Sequence, residues 1–349
     1  MSASPRYAHP HAAPHPAPLA AITPAMLVTL GMLVSLAPVA PLTASAAAQA
    51  YPTRPIRIVQ NYTPGGPTDS VARLMAQKLS DATGQAVTVE NKPSANGVIG
   101  TQDVIRSKPD GYSLLFSTSG HTSVPRALLT DRLAFDPFKE LAPIILLTMS
   151  PQMIVVNPSL GVKNIPELVK LAKANPGKYS YATPGPGGPN HLGIEMLKNM
   201  AGFDMLHVPY KGGAQAALDV VAGRVHLMLA SVGTFLPQVK AGKLVAIAMT
   251  GTRRSATVPD VPNVVEQGYP NYQVYTWYGM FGPASLPRDI TLKLNGIFNT
   301  ALKMPDTLKT LASQGTDAAG GTPEDLTKMM RSEYERWRKV IVDSKIQVE

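Results

Sequence analysis

One stretch restricts this chain more than any other. Ile56-Arg57-Ile58-Val59-Gln60 is a β-branched run that reads as a buried strand. Asn61-Tyr62-Thr63-Pro64-Gly65-Gly66-Pro67-Thr68-Asp69 follows it. Beyond that, Val71, Leu74, Met75 and Leu79 fall at i, i+3, i+4 and i+8, one apolar face of a helix. Thr68 or Asp69 is the expected cap of that helix. A glycine-rich turn from a strand into a helix offers free backbone N–H groups and the positive end of a helix dipole, which favours an anion. Two glycines let an oxygen come close to the main chain. No Lys-Ser/Thr pair follows them, so the turn is not a P-loop. Nor is it Gly-x-Gly-x-x-Gly, so a dinucleotide site is a weak reading. The plain alternative is an ordinary tight βα turn.

The pattern then repeats. Strands are expected at 85–90 and 112–116, the second ending in Ser117-Thr118-Ser119-Gly120-His121, with a short helix over 98–106 between them. Apolar runs at 144–149 and 153–156, separated by Ser150-Pro151, read as strands passing between lobes. A helix over 165–173 precedes a strand at 179–183 and the turn Pro184-Gly185-Pro186-Gly187-Gly188-Pro189, where Asn190 is the expected cap of the next helix. Strands at 205–208, 225–230 and 244–250, a helix over 214–222 and an aromatic strand over 275–282 follow. Three helices, at about 288–303, 305–314 and 323–343, are expected on the first lobe, the last with Glu333, Glu335 and Arg336 as a charged outer face. Strands alternating with helices imply α/β architecture with a parallel sheet and ligand chemistry at the strand C-terminal ends. Two such lobes imply a ligand in the cleft between them.

Residues 1–50 differ from the rest. They carry one charge, Arg6, and residues 25–40 are an apolar segment ending towards Ala48-Gln49-Ala50. This reads as a secretory signal cleaved before Tyr51; a retained anchor and a start at Met26 are alternatives. The chain has a formal charge of +9, or +8 without Arg6. Basic residues are scattered with no aromatic interleaving, which argues against nucleic acid. There is no cysteine, so no disulfide is expected. His121, His207 and His226 lack ligand spacing, and no metal or cofactor is expected. Ser117, Ser119 and His121 invite a hydrolase reading, but no Gly-x-Ser-x-Gly elbow and no acid/base pair is present.

Several short motifs in order resemble the Bug-type periplasmic solute receptors of tripartite tricarboxylate transporters. They are Tyr51-Pro52-Thr53-Arg54-Pro55-Ile56-Arg57, Pro64-Gly65-Gly66-Pro67-Thr68-Asp69 with Val71-Ala72-Arg73, Val89-Glu90-Asn91-Lys92-Pro93 and Pro109-Asp110-Gly111-Tyr112-Ser113-Leu114-Leu115. Asn175-Pro176-Gly177-Lys178, His207-Val208-Pro209-Tyr210-Lys211-Gly212, Ala241-Gly242-Lys243-Leu244 and Pro259-Asp260-Val261-Pro262 continue the match.

The resemblance implies a type II periplasmic binding protein fold, two lobes joined by two crossing strands. Residues 51–150 and 275–349 would form lobe 1 and 151–274 lobe 2. It implies a monomer that binds a small carboxylate through main-chain N–H groups, hydroxyls and ordered waters, and delivers it to a membrane permease. A receptor docking on a signalling sensor is the alternative. The implied site is Tyr62, Thr63, Gly65, Gly66, Asp69, Ser117 and Thr118 on lobe 1, with Thr183, Pro184, Gly185, His191, Tyr210, Lys211, Ser231 and Val232 on lobe 2. Trp277 and Tyr278 would lie near the hinge. Two departures stand out. Pro186-Gly187-Gly188-Pro189 replaces a hydroxyl- and amide-rich loop, and Ala230-Ser231 stands where many members carry Asp-Asn. An amino-acid ammonium thereby loses its counter-ion, which favours a dicarboxylate or an aromatic carboxylate.

Overall fold

The computed structural model describes residues 51–346 apart from positions 211 and 256. The leader lies outside the described residues. The opening strand β1 (Ile56–Gln60) pairs in parallel with β2 (Val87–Asn91) and β3 (Ser113–Thr118). Next to β3 lies β9 (Tyr275–Pro283), antiparallel, and beside β9 runs β4 (Leu141–Val156). On the far side β4 pairs with β7 (Leu227–Ser231) and β8 (Val245–Met249), and β7 leads through β5 (Ser180–Thr183) to β6 (Leu206–Pro209). The short β10 (Asp317–Ala318) also pairs with β4.

The two apolar runs expected around Ser150-Pro151 are thus one strand of 16 residues. Pro151 is accommodated because a proline removes one donor without breaking extended backbone. At about 3.3 Å per residue such a strand reaches roughly 50 Å, enough to cross both lobes. Its first part, to Pro151, pairs with β9, and its last part, from Gln152, pairs with β7 and β8. The chain returns at Thr250, which bonds Gln152 and Val274, and enters β9. This is the two-lobed periplasmic binding architecture.

Each sheet is covered on both faces, so its strands are apolar throughout instead of alternating with polar residues. Ile58, Leu114 and Phe116 pack with α1 (Pro67–Thr83) and α8 (Arg288–Ala301), while Val59 and Leu115 pack on the opposite face with Trp277 and Phe281. In the second lobe Ile154, Val156, Leu227 and Leu229 face α4 (Ile165–Ala174) and α5 (Pro189–Ala201). Met153, Val155, Met228 and Ala230 face α6 (Gly213–Val221) and α7 (Val232–Lys240). Between α1 and α4 lie α2 (Val98–Ile105) and α3 (Ser123–Leu129), and α9 (Pro305–Ser313) follows α8.

The last helix, α10 (Pro323–Asp343), departs from expectation twice. It starts at a capping box in which Thr322 and Asp325 exchange bonds. Leu326 and Met330 join the first-lobe core, but Trp337, Val340 and Ile341 join the second-lobe core. The helix therefore bridges both lobes instead of lying on one. Nor is Glu333 on a charged outer face. It is 1 % exposed and accepts bonds from the Trp277 indole N–H (2.8 Å) and the Ser123 hydroxyl. Burial pushes its carboxyl pKa up. Arg336, also expected outward, is largely enclosed, and burial lowers its pKa.

Candidate functional site

The turn after β1 takes its shape from two residues. Gly65 has φ +87°, a left-handed conformation that costs glycine nothing. Pro67 is pre-set for the first helical position, so Gly66 becomes the N-cap. Neither Thr68 nor Asp69 caps the helix, as the sequence suggested; they fall one and two residues inside it. Asp69 instead reaches back outside the helix and accepts the Gly65 amide (3.0 Å). It also accepts from Gln60 (2.8 Å), Asn91 (2.9 Å) and the Arg73 guanidinium (2.8 Å). Burial raises its pKa, but Arg73, Asn91 and the Gly65 N–H together outweigh that and hold it well below the usual carboxylate range. Asp69 is a permanently ionised brace for the turn.

The Gly65 amide is therefore spent inside the protein, a correction to the idea that both glycine amides wait for a ligand. The free donors are one step further on. Among the described residues no hydrogen bond takes up the amides of Gly66, Thr68 or Asp69. No atom comes within 4 Å of where a Cβ would stand on Gly65 or Gly66, so the turn faces open space.

The second lobe repeats this geometry. Gly187 has φ +74°, Gly188 is the N-cap and Pro189 opens α5. Asn190 is again inside the helix and is not its cap. The Gly187 amide donates to the side chain four residues on, here His191 Nδ1 at 3.0 Å. Since Nδ1 accepts, the imidazole is neutral with its proton on Nε2. Burial, then His207 and Lys198 against Glu195, push its pKa down to about 4. His191 stacks on His207 (3.9 Å between rings), which stacks on Tyr181 (5.0 Å). The Thr183 hydroxyl donates to the Gly185 carbonyl and so accepts from His207 Nε2 at 2.7 Å. Asp69 and His191 are counterparts: each anchors a Pro-Gly-Gly-Pro turn from behind.

Between the turns lies a cavity of about 680 Å³. Four helix N-termini reach it: α1 through Gly66, Pro67 and Thr68, α5 through Asn190, α6 through Gly213, and α7 through Ser231, Gly233 and Thr234. None of the four has a side-chain N-cap bond. The hinge strands supply Ser150, Gln152, Thr276 and Tyr278, and the segment after α9 supplies Gln314, Gly315 and Thr316. Among the described residues the lining holds no Asp, Glu, Lys, Arg or His. Among the described lining residues, positive potential comes from the peptide dipoles at these helix N-termini. Such a site can bind an anion and orient it. Among the described residues its lining offers no carboxyl, imidazole or amine.

Of the residues expected at the site, Gly65, Gly66, Pro184 and Ser231 line this cavity. Tyr62 sits beside it, its hydroxyl on Thr118 (2.9 Å) and its ring on His121 (4.4 Å), and burial pushes its phenol up to about 12. Ser117 and Thr118 are buried at the end of β3 and Thr63 is exposed on the turn. Asp69, Thr183, Gly185 and His191 shape the turns from behind. Tyr210 bonds Asp219 (2.8 Å), and Val232 is in the second-lobe core. Lys211 lies outside the described residues. The sequence reading missed Gln152 and the 314–316 segment. Nothing local marks them, because the fold brings residue 314 to Ser70 across more than two hundred positions.

The chain is similar to known proteins over most of its length. The family described as "Tripartite tricarboxylate transporter family receptor" matches residues 71–346. Protein BugT of Bordetella pertussis is 31 % identical over 316 residues, 90 % of this chain and 96 % of that one. An R. palustris protein solved with adipate is 30 % identical with a TM-score of 0.73, covering 85 % of this chain and 99 % of that one. MatC from Rhodopseudomonas palustris, solved with bound malate, is 28 % identical with a TM-score of 0.69, covering 83 % and 100 %.

Proposed function

Since the chain belongs to the tripartite tricarboxylate transporter receptor family, we propose that it is a periplasmic receptor that binds a small carboxylate in the cleft and hands it to a membrane permease. The observation that carries this reading is the convergence of four uncapped helix N-termini on one cavity with no charged side chain in its described lining. Peptide N–H groups donate, a carboxylate only accepts, and the two match. The solved relatives with adipate and malate support the same ligand class. The carboxylate sits on the amides of Gly66 and Thr68, with Gly65 and Asp69 holding the turn. Pro184, Ser231 and the α7 N-terminus close over it from the other side.

Residues 51–150 and 275–349 act as one lobe and 151–274 as the other, hinged at the crossing strands, with the C-terminal half of α10 reaching across to the second core. Residues 1–50 direct export and are removed before Tyr51. The receptor works as a monomer and is not an enzyme; among the described residues the lining offers hydroxyls and amides but no nucleophile–base pair. An amino-acid ligand is disfavoured, because an ammonium in this cavity meets no carboxylate among the described residues.

A thermal-shift panel of mono- and dicarboxylates, aliphatic and aromatic, tests the reading. At one hundred times its Kd a ligand stabilises the native state by about 2.7 kcal/mol, which raises the melting temperature by several degrees. A panel in which basic or neutral solutes shift the protein and no carboxylate does overturns it.

A further inference from the structure

A primary amide can show a cavity either two donors or one acceptor, and the choice is made by whatever the protein takes for itself. Three amides line this cavity, Gln152, Asn190 and Gln314. The Asn190 Nδ2 donates to the Leu229 carbonyl at 2.6 Å. The Gln152 Nε2 donates to the Ser150 carbonyl at 3.2 Å. A carbonyl oxygen only accepts, so neither amide can be turned the other way round. The Gln314 Nε2 donates to the Ser70 hydroxyl at 2.7 Å, and its Oε1 is buried without a partner. Gln152 is 5 % exposed, and no protein donor among the described residues reaches its Oε1 or the Oδ1 of Asn190. Asn190 and Gln152 are thus held with one N–H on a protein carbonyl and their oxygens free of any protein donor, whereas the Gln314 oxygen is enclosed and out of the cavity's reach.

The cavity is therefore split by hydrogen-bond sense. Helix N-termini give donors, and Gln152 and Asn190 give acceptors from a hinge strand and the start of α5. A carboxylate satisfies the first set and is repelled by the second. The second set requires a ligand group that donates. An ammonium donates but would be buried without a counter-ion. A hydroxyl donates at no charge cost. Resting on the receptor reading above, we propose that Gln152 and Asn190 form an acceptor rim that selects carboxylates bearing a hydroxyl on the carbon chain over their deoxy and amino analogues. A site that leaves buried acceptors unpaired when the hydroxyl is missing discriminates more strongly than one that merely loses a methylene.

Isothermal titration of the mature receptor with matched sets tests this. One set is succinate, malate and aspartate; the other is propionate, lactate and alanine. Within the better-binding set the hydroxy acid binds about 10- to 100-fold more tightly than its deoxy partner, and more tightly than the amino acid. Asn190→Leu brings the hydroxy-to-deoxy ratio of Kd values towards one. Asn190→Asp keeps the side-chain size, adds a carboxylate and moves preference towards the amino acid, so the proposal stays testable if the leucine variant does not fold. Carboxylates that bind with no preference for the hydroxyl overturn the acceptor rim and leave the receptor reading standing. If no carboxylate of either set, nor any in the thermal-shift panel, binds at all, the receptor reading fails and the rim with it.

Discussion

Asp69 shows how a residue can shape a candidate site from behind its lining. Its carboxylate gathers four donors, one of them the Gly65 amide at the head of the turn. Asp69→Asn replaces one acceptor oxygen by a donor that faces the Gly65 N–H and Arg73. The expected cost is about 1.5–3 kcal/mol of stability, as for a hydrogen bond to a charged group, with weaker carboxylate binding because the turn is no longer held. Urea unfolding measures the first effect, and an unchanged midpoint would rule out the brace. The pH dependence follows from the sign of the shift. The native Asp69 pKa lies below the unfolded value near 4, so its contribution is full above that value and is lost as pH falls further.

His191 gives its own acid signature. Its native pKa of about 4 lies below the unfolded value near 6.5, so its stability is complete above pH 6.5 and declines as pH drops towards 4. Protonation puts a hydrogen on Nδ1, against the Gly187 N–H. His191→Gln should take up about one proton fewer on unfolding in that window, read from the slope of stability against pH. His121 and His207 are also lowered by burial and keep contributing in the variant. An unaltered slope would show that His191 is charged in the native state.

At the scale of elements, the helices and strands with clear periodicity were legible, and so were the crossing strands, though as two runs where β4 is one; the bridging by α10 was not. The first and second Gly-Pro turns, β1, β3, α1 and α5 were all marked by a strand-to-helix change of period. Two helices, α3 and α7, were not. Helix α7 has Pro237 inside it, a residue that ordinarily argues against a helix. Only four residues of the expected site line the cavity, because the sequence marks which loops end at the sheet edge but not which loop atoms face inward. Helix α10 reads as amphipathic, yet no pattern within one helix says that its two ends serve different cores.

Glu333 lies between those ends, against Trp277 at the start of β9. Its raised pKa means that the protonated form is stabilised, so its contribution is complete below the unfolded value near 4.3 and is lost as pH rises through the native one. Glu333→Gln keeps an acceptor for Trp277 and Ser123 and removes the charge, so it should gain on the wild type as pH rises. Glu333→Ala leaves a buried indole N–H and a hydroxyl unpaired and should cost about 1–3 kcal/mol. Denaturant unfolding at pH 6 and pH 8.5 separates the two. A Gln variant equally destabilised at both would mean an ionised Glu333 held by Arg336.

For the whole molecule, a chain with a formal charge of +9 builds a site for acids from which, among the described residues, basic side chains are absent. The net charge draws anions towards the protein over nanometre distances. On the proposed reading the grip is local and made of peptide dipoles, which do not need to be desolvated as a lysine would. The most direct test is a crystal structure of the mature receptor with the carboxylate that shifts its melting temperature furthest. The account predicts carboxylate oxygens about 2.7–3.2 Å from the amides of Gly66 and Thr68, with no lysine or arginine in contact. A carboxylate held by a basic side chain, or bound away from the turn after β1, would contradict it.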